Sequence, residues 1–125
     1  MRNLVRISPT ERLDRQTFSY QSEVTDEAVD LGRYICPHCG HTFELEMRHF
    51  RLHEGTNFSN LNEIWRKHFD AFRAARQEAW ESYLDFHCAG CRAPVRLIYE
   101  PDSKWAMGTH AWRITEIIEA SAWPR

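Results

Sequence analysis

Apolar and polar positions change period several times along this chain, and each change marks an element. From residue 43, Phe43, Leu45 and Met47 alternate with Glu44 and Glu46, the period of a half-buried strand. Between about residues 60 and 81 the spacing becomes three and four: Leu61, Ile64, Trp65, Phe69, Phe72, Ala75, Ala79 and Trp80 line one face of a long amphipathic helix. Asn60 is the expected N-cap, with Glu63 three residues on. Glu63 also stands four residues before Lys67, the favourable order for a helical ion pair, and Ala71, Ala74 and Ala75 add intrinsic propensity. Alternation returns at Val95, Leu97 and Tyr99, with Ile98 on the opposite face. Residues 101–108 read as a loop. His110 to Glu119 reads as a closing strand, with Trp112, Ile114 and Ile118 on one face and Ala111 and Ile117 on the other.

Residues 1–30 carry no comparable pattern and are expected to form a polar N-terminal arm, leaving 31–125 as one domain with the helical insertion at about 60–81. Within the arm, Ser8-Pro9-Thr10-Glu11 has the form of a helix start, with Ser8 as cap and Pro9 at the first position. Residues 23–30 hold four acids, Glu23, Asp26, Glu27 and Asp30, and no base. A solvated segment is the plainer reading, a docking segment the sharper one. The predicted fold class is α+β, an antiparallel sheet with one long helix.

Four cysteines fall in two C-x-x-C pairs, Cys36-Pro37-His38-Cys39 and Cys88-Ala89-Gly90-Cys91. Two intervening residues let a tight turn aim both thiolates at one point, and two such turns supply the four soft ligands of a tetrahedral zinc ion. Pro37 stiffens the first turn, and Gly40 and Gly90 give backbone freedom where the chain bends. Cys36-Pro37-His38-Cys39 also has the letters of a thiol-disulfide oxidoreductase site, where the first cysteine opens a helix. Here strand alternation follows instead. His38, His41 and His87 lie beside the cysteines, as substitute ligands or as groups that tune the site from behind it. His49 and His53 are four apart, with no third ligand in view. No H-E-x-x-H, G-x-S-x-G or phosphate-binding glycine loop occurs, so no catalytic group is assigned and an enzyme is not expected.

Composition sets the compartment and the partners. The first ten residues include two arginines and no apolar run, and nothing approaches a membrane-spanning stretch, so a cytoplasmic protein is expected, where cysteines hold metal rather than disulfides. The formal net charge of the 125 residues is −2. Four thiolates and one zinc ion would bring it to about −4, which argues against general affinity for nucleic acid or anionic membranes.

At Cys36-Pro37-His38-Cys39-Gly40 and Cys88-Ala89-Gly90-Cys91 the sequence resembles the zinc-ribbon superfamily, over roughly residues 33–47 and 83–119. The resemblance implies two knuckles, each leading into a strand, joined on a small antiparallel sheet; the helical insertion between them departs from simple ribbons. More loosely, Tyr83-Leu84-Asp85-Phe86-His87-Cys88 with Cys91, then Val95 to Tyr99 and Ile117-Ile118-Glu119, are similar to small cytosolic immunity proteins of bacterial polymorphic-toxin systems. That likeness implies a non-catalytic module that binds a protein partner and covers a toxin's active site. The expected contacts are the acidic arm (Glu23, Asp26, Glu27 and Asp30) together with Glu44, Glu46 and Glu54, for each of which ordinary solubility is the plainer reading. The alternative is a nucleic-acid-binding ribbon, using Arg48 and Arg51 near His49 and Phe50, with Arg92 and Arg96 beyond the second knuckle.

Overall fold

The structure, a computed structural model, describes residues 3–15, 17–21, 32–46, 49, 58–73, 82–101 and 109–124. Along these the chain forms strands β1 (Leu4–Ile7), β2 (Thr17–Gln21), β3 (Arg33–Ile35), β4 (Thr42–Glu44) and β5 (Phe58–Ser59). Helix α1 (Glu63–Arg73) follows, then β6 (Ser82–His87), β7 (Pro94–Pro101) and β8 (Thr109–Ala120). The class is α+β, as predicted, and the main sheet is open.

The alternating segments build its centre. β6, β7 and β8 are antiparallel neighbours, and two-residue β5 adds to β6 in parallel. The other edge is shared: β1 pairs with the end of β8 (Leu4↔Ala120 to Ile7↔Ile117), and β2 with its start (Thr17↔Arg113 to Gln21↔Thr109). Residues 4–7 and 17–21, inside the stretch expected to be a polar arm, are therefore strands paired with β8. Edge strands need only backbone pairing on one side, so a short, weakly apolar segment suffices. Between them, Ser8-Pro9-Thr10-Glu11 makes a single 3-10 turn, Pro9–Glu11, with no side-chain cap. Ser8 Oγ instead meets Thr10 Oγ1 at 2.9 Å.

Beyond that turn the chain joins a second ladder, the hairpin of β3 and β4 with Tyr34 opposite Phe43. Ile35 N–H donates to Arg12 O at 3.0 Å and Asp14 N–H to Arg33 O at 3.4 Å, so residues 12–14 run beside β3. The hairpin covers one face of the main sheet. Leu13, Tyr34 and Leu45 pack there with Leu84, Phe86, Val95, Leu97, Tyr99, Ile114 and Ile117, and Phe43 stacks on Phe86 with centroids 3.9 Å apart. Helix α1 covers the opposite face, where Leu61, Phe69, Ile98 and Ile118 are buried with Trp65, Phe72 and Tyr83 around them. β7 is thus buried on both sides. The result is three layers: hairpin, sheet and helix.

Two sequence expectations shift by local geometry. The register runs Ile98↔Glu116 and then Tyr99↔Ile114, a bulge that spends one extra β8 residue. It flips the parity of β8, so Ile114 shares the hairpin-side face with Ile117, while Ile118 faces the helix. The helix is capped by Asn62, whose Oδ1 accepts from Trp65 N–H at 2.9 Å. Asn60 continues the pairing beside β6, with its N–H on Asp85 O at 3.1 Å. Phe69 is fully buried, but Ile64 is 68% exposed and lies off the packed stripe. Residues 74–81, the rest of the expected helix, and the 101–108 loop beyond Pro101 lie outside the described residues. Among the described residues no helix is long and apolar enough to cross a membrane.

Candidate metal centre

The two C-x-x-C turns adopt the same backbone shape. Cys36 N–H donates to His41 O at 2.9 Å and Gly40 N–H to Cys36 O at 2.9 Å; Cys88 N–H donates to Ala93 O at 2.8 Å and Arg92 N–H to Cys88 O at 2.7 Å. The matching fourth positions after each leading cysteine both take the left-handed conformation, Gly40 at φ 79° and Arg92 at φ 69°. Glycine adopts this freely; arginine meets a clash between Cβ and its own backbone. Arg92→Gly should therefore raise stability by about 1 kcal/mol, read as a higher midpoint in urea at unchanged slope. Gly90 has a different role from the one its position in the turn suggests. It needs no positive φ, but a Cβ there would lie 2.8 Å from Cys39 Sγ and 3.0 Å from His41 Cβ. Its bareness lets the two knuckles close on each other.

Closed in this way, the four sulfurs form a compact quartet, all within 4.8 Å of one another. Across the knuckles Cys36 and Cys91 are 3.7 Å apart and Cys39 and Cys88 3.5 Å apart. Sulfurs about 2.3 Å from one tetrahedral ion stand about 3.8 Å apart, whereas a disulfide needs about 2.05 Å. The quartet can hold a metal ion. Cys36 and Cys88 are buried, and Cys39 and Cys91 half-buried. Burial pushes the Cys36 thiol up to about 12, against the backbone N–H groups of His38 and Cys39. Burial also raises Cys91, while the His41 N–H draws Cys39 down. Gly90 N–H lies 3.4 Å from Cys88 Sγ. Turn amides aimed at sulfur favour the thiolate, the form that binds metal.

His38 and His87 tie the two turns to the rest of the fold. Among the described residues the ligand cluster contains cysteines only. His38 Nε2 is 3.1 Å from Ala120 O, tying the first knuckle to the end of β8. His87 Nε2 accepts from Asn62 N–H at 3.3 Å, which leaves Nδ1 as the donor to Arg92 O at 3.0 Å. His49 is buried between Phe43 and Phe58, and its Nδ1 accepts from Glu46 N–H at 2.9 Å. His53 lies outside the described residues. A further tie had no signal in the sequence: Trp123 Nε1 donates to Cys91 O at 2.7 Å. Near the hairpin, Glu119 accepts from Tyr34 Oη and from both arms of Arg12, at 2.9 and 3.1 Å. Burial and the Glu119 carboxylate together hold the Tyr34 hydroxyl protonated, far above its ordinary range.

Of the expected contact residues, Glu44 is exposed on β4 across from Arg33, and Glu46 is half-buried. Glu23, Asp26, Glu27, Asp30 and Glu54 lie outside the described residues, as do Arg48, Phe50 and Arg51. Arg96 is no surface group. It is 3% exposed, bidentate on Asp85 at 2.7 and 2.9 Å, and bridged to Asp70 at 2.9 Å. No protein-family model, curated protein or solved structure matches the chain.

Proposed function

We propose that Cys36, Cys39, Cys88 and Cys91 hold one structural zinc ion in a pair of zinc-ribbon-type knuckles, in a cytoplasmic, non-catalytic module that binds a protein partner. Its most concrete form is an immunity-type protein that covers and neutralises a bacterial toxin. The observation that carries the metal part of the reading is the sulfur quartet; the partner part rests on the sequence resemblance and the charge. Four thiolates fill a tetrahedral shell, so the ion organises the chain and offers water or substrate no open position. The partner's expected charge follows from this chain's own, −2 formally and about −4 with the thiolate-bound ion. A basic protein surface is the complement, met by acids such as exposed Glu44. The nucleic-acid alternative loses its inner arginine, because Arg96 is committed to Asp85 and Asp70.

The first candidate partner is the product of the adjacent gene. Expressed alone it should arrest growth, and co-expression of this chain should restore it. Binding should persist at about 150 mM salt with mainly the association rate reduced. Sub-micromolar binding to random DNA or RNA, falling steeply with salt, would replace this reading with the alternative.

A further inference from the structure

We infer that the second knuckle and the first turn of helix α1 form one coupled unit, so that metal occupancy sets the position of the helix. Two side chains from different parts of the chain make the connection, each donating to a knuckle carbonyl and meeting the start of the helix. His87 donates from Nδ1 to Arg92 O in the knuckle, and its Nε2 accepts from the N–H of Asn62, the residue that caps α1. Trp123 donates from Nε1 to Cys91 O, and its ring lies 5.7 Å from that of Trp65 in the first turn. Both knuckle carbonyls belong to the stretch that the metal holds in place, Cys91 and the residue after it. Both helix contacts fall within four residues, at the end that also carries exposed Ile64.

A knuckle closed on its ion presents these carbonyls at fixed positions, and so seats His87 and Trp123 against the helix. An open knuckle withdraws both. The position of the first turn of the helix then becomes metal-dependent. The inference rests on the metal-site reading above and adds coupling to it.

The test uses the full chain loaded with zinc, its stoichiometry measured first, and follows transfer of zinc to a chromogenic chelator. Trp123→Phe, which keeps an aromatic ring but loses the donor, should speed zinc release about three- to tenfold, the worth of one hydrogen bond. Trp65→Ala, which removes the ring that packs on Trp123, should speed release comparably, and should add little in the Trp123→Phe background. Phe72→Ala is the control: it lies on the same helix beside Arg6, whose guanidinium sits 4.2 Å over its ring, and it should destabilise the helix without altering zinc release. Unchanged release in Trp65→Ala, or equal acceleration by Phe72→Ala, overturns the coupling while leaving the metal site intact. Absence of bound zinc in the parent chain would instead overturn the metal-site reading.

Discussion

Cys88→Ser should lose the metal and the fold together. Cys88 is 2% exposed, and its sulfur lies 3.5 Å from that of Cys39, so a hydroxyl there removes one of four ligands from a closed shell. A structural zinc site supplies on the order of 10–16 kcal/mol at neutral pH, as large as the whole stability of an ordinary domain. The loss would not stay local. β3 and β4 pair over three residues only, yet the hairpin carries Tyr34, Cys36 and Leu45 into the core that covers β6, β7 and β8. Without the proposed ion the hairpin should loosen and uncover that face of the sheet. The parent chain should carry about one zinc by elemental analysis, and a strong chelator should produce the same far-UV change as the substitution. Acid should act in the same direction. Ligand thiols must be deprotonated to bind, and the Cys36 thiol, pushed up to about 12 without metal, holds its proton across the neutral range. Zinc affinity should therefore rise with pH and fall as it drops. A metal-free Cys88→Ser protein with the parent's thermal transition would end the structural-zinc reading, and stoichiometric iron would change the metal.

How much of this was legible depended on the range of the interaction. The cysteine pairs were legible because the geometry that gathers two thiolates is set by two intervening residues. The closure of both pairs into one quartet was expected because a tetrahedral ion would take four ligands. The alternation at Val95, Leu97 and Tyr99 and the stripe through Trp65, Phe69 and Phe72 were legible because one buried face imposes a period. The rest depends on partners distant in sequence. β1 and β2 are recruited by the backbone of β8, roughly a hundred residues away, and leave little mark on their own side chains. The bulge near Thr115 reverses the faces of β8 with no glycine or proline to announce it. Arg12 reaches Glu119, and Trp123 reaches Cys91, by routes that exist only after folding. Arg96 departs from expectation for a related reason: an arginine at an alternate position of a strand reads as surface until its carboxylates are placed.

That arginine carries the second large effect. Asp85→Ala should cost about 3–5 kcal/mol, because it leaves the buried Arg96 charge without its main partner. Asp85 is fully buried and Arg96 nearly so, joined by two short hydrogen bonds across the β6–β7 pair. Ser59 Oγ adds a third bond to the carboxylate at 2.9 Å, which fixes two-residue β5 to the sheet. On its other side the guanidinium lies 3.8 Å from the Tyr83 ring centroid and reaches Asp70 of α1. One ion pair thus joins three strands and the helix. Asp70 is 55% exposed and its link to Arg96 is screened by water, so Asp70→Asn should cost less than about 1 kcal/mol. Removing both charges is a different experiment from removing one. Asp85→Leu combined with Arg96→Met replaces the pair by apolar groups of similar volume and should recover most of the loss, since desolvation of the ions then disappears with their attraction. Urea denaturation of the single and double variants measures the coupling directly. A double variant as unstable as Asp85→Ala would show that Arg96 acts through its stacking on Tyr83, and that the charge of Asp85 is incidental to the fold.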